Sequence, residues 1–280
     1  MMGSVGNIFI SIRINVLYLF KIIKLNIIRE LQYRTNFVFG FLIEFTYSIV
    51  NILFYEIIYH NTAYIGSWNK YQALLLVGTF IITSSMYMTT TFSNLSVLPT
   101  SILNGDLDVY LLKPINSKIL ISYKNFDIGS FLNIFVGIGV VINSLIHLNI
   151  SLNFIDIVIY FMAIIGGYFL ISNSLLILMS LAFWLGRVSE VRDWFGLVVE
   201  FGNRPAFIYP KMMQVIFYWI LPIFLIANVP IEVLLHKRSI KGVIIFLIII
   251  YAYSLLSSFI YKLGLKKYSS ANNSPGYSRM

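Results

Sequence analysis

The side chains with most chemistry in this sequence are acids and hydroxyls set inside apolar runs. Glu44 and Glu56 both fall within the run from Phe37 to Tyr59. A carboxylate there is costly. It handles protons or cations, pairs with a neighbouring helix, or stays protonated. The run from Ala73 to Leu98 carries Thr79, Thr83, Ser84, Ser85, Thr89, Thr90 and Thr91. In a helix Thr79, Thr83, Met86 and Thr90 share one face. That face is either a polar wall for a solute or a row of hydroxyls bonded back to carbonyls four residues earlier. Asn173, between Ser172 and Ser174, adds an amide midway along the run from Ile157 to Leu185. No GxxxxGK[ST] phosphate loop, HExxH pair or Ser-His-Asp arrangement is visible, so ATP hydrolysis by the phosphate-loop route is excluded for this chain. Cysteine is absent, which removes disulfides and thiolate chemistry. His60, His147 and His236 lie far apart, and no metal site is expected. A lipid-modifying intramembrane enzyme built on Glu44 would need converging acids at a membrane boundary, and no D-x-x-x-D cluster lies at one.

A second chemical feature is a charged segment between two apolar runs. GDLDVYLLKP, residues 105–114, has room for about two helical turns. Asp106 and Asp108 stand at its start and Lys113 at its end, the order a helix dipole prefers. Pro114 ends the helix by disfavouring helical geometry at the residue before it. Val109 and Leu112 share a face at i, i+3 spacing. The segment reads as a small, rigid, partly apolar knob on a membrane surface, placed to meet a partner.

These residues need elements to hold them. Of 280 residues, 59% are hydrophobic and only 11% charged, against roughly 25% charged in soluble domains. One globule cannot hide that much apolar surface, so lipid is the expected solvent. The net charge of +9 then belongs to residues that flank spans and face anionic headgroups, not to a nucleic-acid surface. A crossing helix needs about 20 apolar residues. Phe37 to Tyr59, Ala73 to Leu98, Ile128 to Leu148, Ile157 to Leu185 and Gly242 to Tyr261 meet that length. Residues 1–36 read as an amphipathic helix lying in the interface, because Lys21 and Lys24 break their apolar run and no small-residue cleavage site follows.

One more crossing must fit between Arg187 and Glu232, where Pro205, Pro210, Pro222 and Pro230 intervene. Two readings stay open. Pro205 to Val229 is a kinked span, or Val188 to Asn203 crosses and Phe207 to Leu235 forms a broken hairpin dipping into the outer leaflet. Irregular backbone at that depth is tolerated only against protein or a water-filled cavity. With the amino terminus inside, most of the 20 Lys and Arg residues fall on the inner side. Six crossings then place both termini and the 105–114 segment in the cytoplasm. The expected class is an all-α polytopic membrane protein, with residues 37–261 as the spanning domain and 262–280 as a cytoplasmic tail.

GDLDVYLLKP resembles the G-x-LD-x-x-LL-[RK]-P signature of ABC-2 type transporter permeases, in their six-span branch. Ala182-Phe183-Trp184 is similar to the aromatic end of that family's fourth span. Arg204-Pro205 and Ile208-Tyr209-Pro210 are similar to its R-Y-P…I-Y-P element, although the Tyr before Pro205 is missing. Leu221-Pro222, Asn228-Val229-Pro230 and the closing Gly264-Leu265-Lys266-Lys267-Tyr268-Ser269-Ser270 complete the likeness, over roughly residues 30 to 270. The resemblance implies a permease half that pairs with a second copy or a related chain, and with an ABC ATP-binding subunit that carries the ATP and Mg. This chain would itself hold no cofactor. Residues 104–116 would dock on the ATPase through Gly105, Asp106, Leu107, Asp108, Leu112, Lys113 and Pro114. Pro205, Pro210, Pro222 and Pro230 would mark a re-entrant hairpin on the outer side of the cell membrane, over about residues 205–235. Export of an amphipathic or hydrophobic compound is the implied activity, along a path where Thr79, Thr83, Met86, Thr90, Asn173 and Glu44 are expected. The alternatives are the intramembrane enzyme and a non-transporting receptor or immunity subunit.

Overall fold

Backbone amides in lipid must bond within their own segment, so apolar runs of this length fold as helices. The structure, a computed structural model, describes residues 20–29, 32, 34–113, 115–237 and 239–268. Most of the expected interface helix, Pro114 and the polar tail from Ser269 lie outside the described residues. Residues 20–29 are helical (α1). α2 is Arg34–Asn61 and α3 is Lys70–Tyr87. α3 starts on a capping box in which the Asn69 side chain accepts from the Gln72 amide at 3.0 Å and Gln72 accepts from the Asn69 amide at 3.1 Å. The same rod runs on through wider π-type turns at Met88–Phe92, through Ser93–Ser96, and into α4, Leu98–Asn104. Then follow α5 (Leu107–Leu111), α6 (Ser117–Ser122), α7 (Ile128–Leu148), α8 (Phe154–Ser180), α9 (Ser189–Val199), α10 (Asn228–Leu234) and α11 (Ile240–Lys267).

The protein is a multi-pass, all-helical membrane protein. Phe37–Asn61, Lys70–Asn104, Ile128–Leu148, Phe154–Leu185 and Lys241–Lys267 are long and apolar enough to cross, and they fall where hydropathy put them. Their burial is unequal. The apolar part of Lys70–Asn104 is 78% buried inside the chain, against 6% for Phe37–Asn61 and 11% for Lys241–Lys267. α3 is therefore the central post, packed on α7 and α8, and the outer helices leave their apolar faces to lipid or to partners. From Lys70 to Thr89 the post rises ~30 Å, the thickness of a hydrocarbon core. At that level Thr89 O accepts from the Asp127 amide at 2.9 Å, where α7 begins. α4, α5 and α6 follow at this end of the post.

Between α9 and α11 the proline-rich stretch doubles back on itself in short pieces. Just after α9 it bonds to α2. Asn203 donates to Asn51 Oδ1 at 2.5 Å, and its carbonyl accepts from Tyr55 at 3.1 Å. The chain then reaches the loop beyond Asn61, where Phe207 packs on Trp68. From there it turns back. The Ile220 carbonyl accepts from Tyr253, midway along α11. Ile226 lies so close to α8 that a Cβ on Gly167 would stand 2.6 Å from its carbonyl oxygen. Lys237 returns over Trp68 at 5.9 Å. The amide of Ala206 donates to Asn228 Oδ1 at 3.2 Å and closes the base of this doubled segment. No sixth helix of crossing length occurs among the described residues. α9 alone rises only ~16 Å, and Pro205 and Pro210 stop the backbone from continuing it.

Candidate functional site: a projecting turn and an acidic cavity

The charged knob is built on a left-handed glycine. Gly105 has φ 81°, which ends α4 and turns the chain, a geometry that only glycine adopts cheaply. α5 that follows is five residues long, shorter than the two turns expected. Leu107 is fully buried and anchors it, while Val109 is 59% and Leu112 86% exposed. The i, i+3 face is thus an apolar patch turned away from the protein, with Asp106 and Lys113 exposed around it. Tyr268, just past α11, sits against the same turn. Burial pushes its phenol above the ordinary range, and the carboxylates of Asp108 and Asp106 add to the shift.

A network of amides ties this turn to the spans, and sequence reasoning missed it. Asn94, buried on the rod, donates to the carbonyls of Asn125 (2.8 Å) and Thr90 (2.5 Å) and accepts from the Asn125 amide at 2.8 Å. Asn26 of α1 donates to the Lys124 carbonyl at 3.1 Å, and Arg29 reaches Asn26 at 2.6 Å and Asn125 at 3.4 Å. Lys124 then donates to the Tyr110 hydroxyl at 2.9 Å. α1, the 124–125 turn, α5 and the central rod therefore form one hydrogen-bonded unit. The only prior signal was an isolated Asn in a hydroxyl-rich run.

The expected polar stripe splits. Thr79 and Thr83 are fully buried. Thr79 donates to Leu75 O at 2.8 Å and meets Tyr160 at 2.9 Å, and Thr83 donates to Thr79 O at 3.0 Å. Thr90 bonds back to Met86 O at 2.8 Å and meets Tyr168 at 2.9 Å. Thr79 and Thr90 thus tie the rod to α8, whereas Thr83 bonds within α3. Asn173 turns toward α6 and α11, where its Oδ1 accepts from Lys118 at 3.3 Å and Ser257 at 2.5 Å.

Glu44 lies elsewhere. With Tyr47 of α2, Met88 and Phe92 of the rod and Glu200 after α9, it walls a cavity of about 500 Å³. Tyr47 donates to Glu200. Asp193 on the rim is paired with Arg192 at 2.8 Å. Glu44 has no hydrogen bond or ion pair among the described residues, and the charges that act on it, Asp127 and Glu200, have its own sign. Arg204, 5.4 Å from the Phe54 ring, offsets part of the Glu200 charge. The result is an aromatic hollow with a negative bias, which suits an apolar cation. Glu56 plays no part in it and pairs with Lys70 at 2.6 Å. Among the described residues, no group of three His, Asp or Glu is arranged to hold a metal ion.

Comparison with known proteins agrees with this architecture. A family model described as ABC-2 family transporter protein matches residues 45–272. No curated protein and no solved structure matches the chain.

Proposed function

The chain belongs to the ABC-2 transporter family, and from that premise we propose that it is the permease subunit of an ATP-driven exporter in the cell membrane. It lacks a phosphate loop, so the energy must come from a separate ATP-binding subunit. The observation that carries the reading is the projecting turn. An apolar patch formed by Val109 and Leu112 stands outside the membrane core on a turn rooted in the central rod. Such a patch is a docking surface, and the network through Asn94 gives it a stiff path to the spans. On this reading the turn and both termini are cytoplasmic. Val188 to Asn203 makes a sixth crossing, and about residues 205–235, marked by Pro205, Pro210, Pro222 and Pro230, form a re-entrant hairpin on the outer side. The contacts at Tyr253 and Gly167 support it, since they place irregular backbone against protein.

The cargo is an amphipathic compound with a positive charge, taken up where Glu44 and Glu200 face aromatic walls. A second permease copy or a related chain covers part of the exposed apolar faces and encloses the path. Co-expression with a candidate ATPase chain tests the core of this proposal. The two should co-purify, and Asp108→Ala with Leu112→Ala should uncouple ATP hydrolysis from transport without loss of membrane insertion. Unchanged coupling in that double variant would remove the docking role.

A further inference from the structure

Helix lengths put one ammonium group at the depth of lipid headgroups. α8 reaches Asn173 and α11 reaches Ser257 after a rise of roughly 25–29 Å each, close to one hydrocarbon thickness from their opposite ends. Between them lies the Nζ of Lys118, on α6. It donates to Asn173 Oδ1 at 3.3 Å, Ser257 Oγ at 3.0 Å and Ser258 Oγ at 2.8 Å. Three neutral acceptors occupy its three N–H donors but leave its charge uncompensated. No salt bridge among the described residues reaches it. The charge that acts on it is a second cation, Lys262, and burial followed by that repulsion holds Lys118 below the ordinary lysine range. A half-buried cation facing another cation, with no carboxylate, is stabilised most by an anion from outside the chain.

Space for one exists on both sides of Lys118. A cavity of about 220 Å³ has Ser117, Ser258, Tyr261 and Lys262 in its wall. A second, of about 230 Å³, is walled by Leu95, Phe169 and Leu176, and Phe169 is 41% exposed. The first offers cations and hydroxyls, and the second offers the apolar side chains of Leu95, Phe169 and Leu176 beside hydroxyls such as Ser122 and Ser172. We propose that Lys118, Lys262, Ser258 and Tyr261 bind the phosphate of an anionic phospholipid, with an acyl chain lying against Phe169. Basic pockets between spans at this depth suit such headgroups. The hydroxyls can turn from accepting to donating when the phosphate arrives, which frees an N–H of Lys118 for it. A bound lipid would then join α6, which follows the projecting turn, to α8 and α11.

The full chain in nanodiscs tests this. Discs of phosphatidylcholine alone are compared with discs containing phosphatidylglycerol, by native mass spectrometry of retained lipid and by thermal unfolding. Phosphatidylglycerol should be retained and should raise Tm. Lys118→Gln and Lys262→Gln should each weaken its apparent affinity by roughly tenfold, the value of one charge-assisted hydrogen bond. Lys266→Gln with Lys267→Gln should leave it unchanged. Lys262 is exposed, so its variant keeps the test alive even where Lys118→Gln does not fold. Equal retention in all variants would overturn the site. Equal stabilisation by inorganic phosphate in phosphatidylcholine discs would overturn the lipid as its source.

Discussion

Replacing Asn94 with Ala should loosen the turn that carries the projecting segment. The Asn94 amide pairs with both backbone groups of Asn125, each at 2.8 Å, as a strand neighbour would. Its third bond, to Thr90 O, is local and adds little. Alanine removes two non-local bonds at a net ~1 kcal/mol each. Asn125 is only half-buried, so water reaches part of what is stranded, and the desolvation penalty stays at its lower end. The expected cost is ~2–3 kcal/mol, a thirtyfold or larger increase in local opening. Hydrogen exchange of residues 116–127 in detergent would read this directly, with slow exchange in the centre of α3 as the control. The bonds from Asn26 and Arg29 still hold the turn, so the effect should stay local. Asn94→Asp should be no milder, because it keeps the bond from the Asn125 amide but turns a carboxylate toward two carbonyls. Unchanged exchange in Asn94→Ala would refute the claim that this side chain fastens the turn to the rod.

Other outcomes follow from the same geometry. Gly167→Val should prevent stable folding or displace residues 221–227, because its side chain would meet the Ile226 backbone; expression and thermal unfolding would report it. Thr83→Val should cost no more than ~1 kcal/mol, since the hydroxyl makes one bond within its own helix. Cysteines placed at 88 and 197, on the wall of the acidic cavity, should react with a water-soluble thiol reagent, whereas one at 83 should stay protected. The lowered value of Lys118 gives a signed pH effect. The unfolded chain binds the proton more tightly, so stability in neutral lipid should rise as pH climbs from the lowered value toward 10.5 and level off above it. Lys118→Met should flatten that rise in a pH series of unfolding curves.

Much of the architecture was legible because single dimensions dictate it. The bilayer sets the length of an apolar helix, so five spans could be read without knowing their neighbours. The turn at Gly105 and the apolar pair Val109 and Leu112 were also local facts, set by a glycine and by i, i+3 spacing. What a face meets is not local. Periodicity put Thr79, Thr83 and Thr90 on one side of a helix. Only the arrival of Tyr160 and Tyr168 from α8 decided that Thr79 is buried against a neighbour and that Thr90, half-buried, has a partner there. Glu44 and Glu200 lie far apart in sequence and share a cavity because residues just after α9 bond to Tyr47, Asn51 and Tyr55 of α2. The proline-rich stretch stayed ambiguous since prolines forbid a continuous helix without saying where the chain goes next. Contacts with Gly167, Tyr253 and Trp68, made by segments distant in sequence, hold it against the spans. Nothing in the sequence sets Lys118 apart from the other basic residues. Its burial beside Asn173 and Ser257 exists only once α6, α8 and α11 are assembled, because packing against distant segments, not neighbours in sequence, determines how much water a charge keeps.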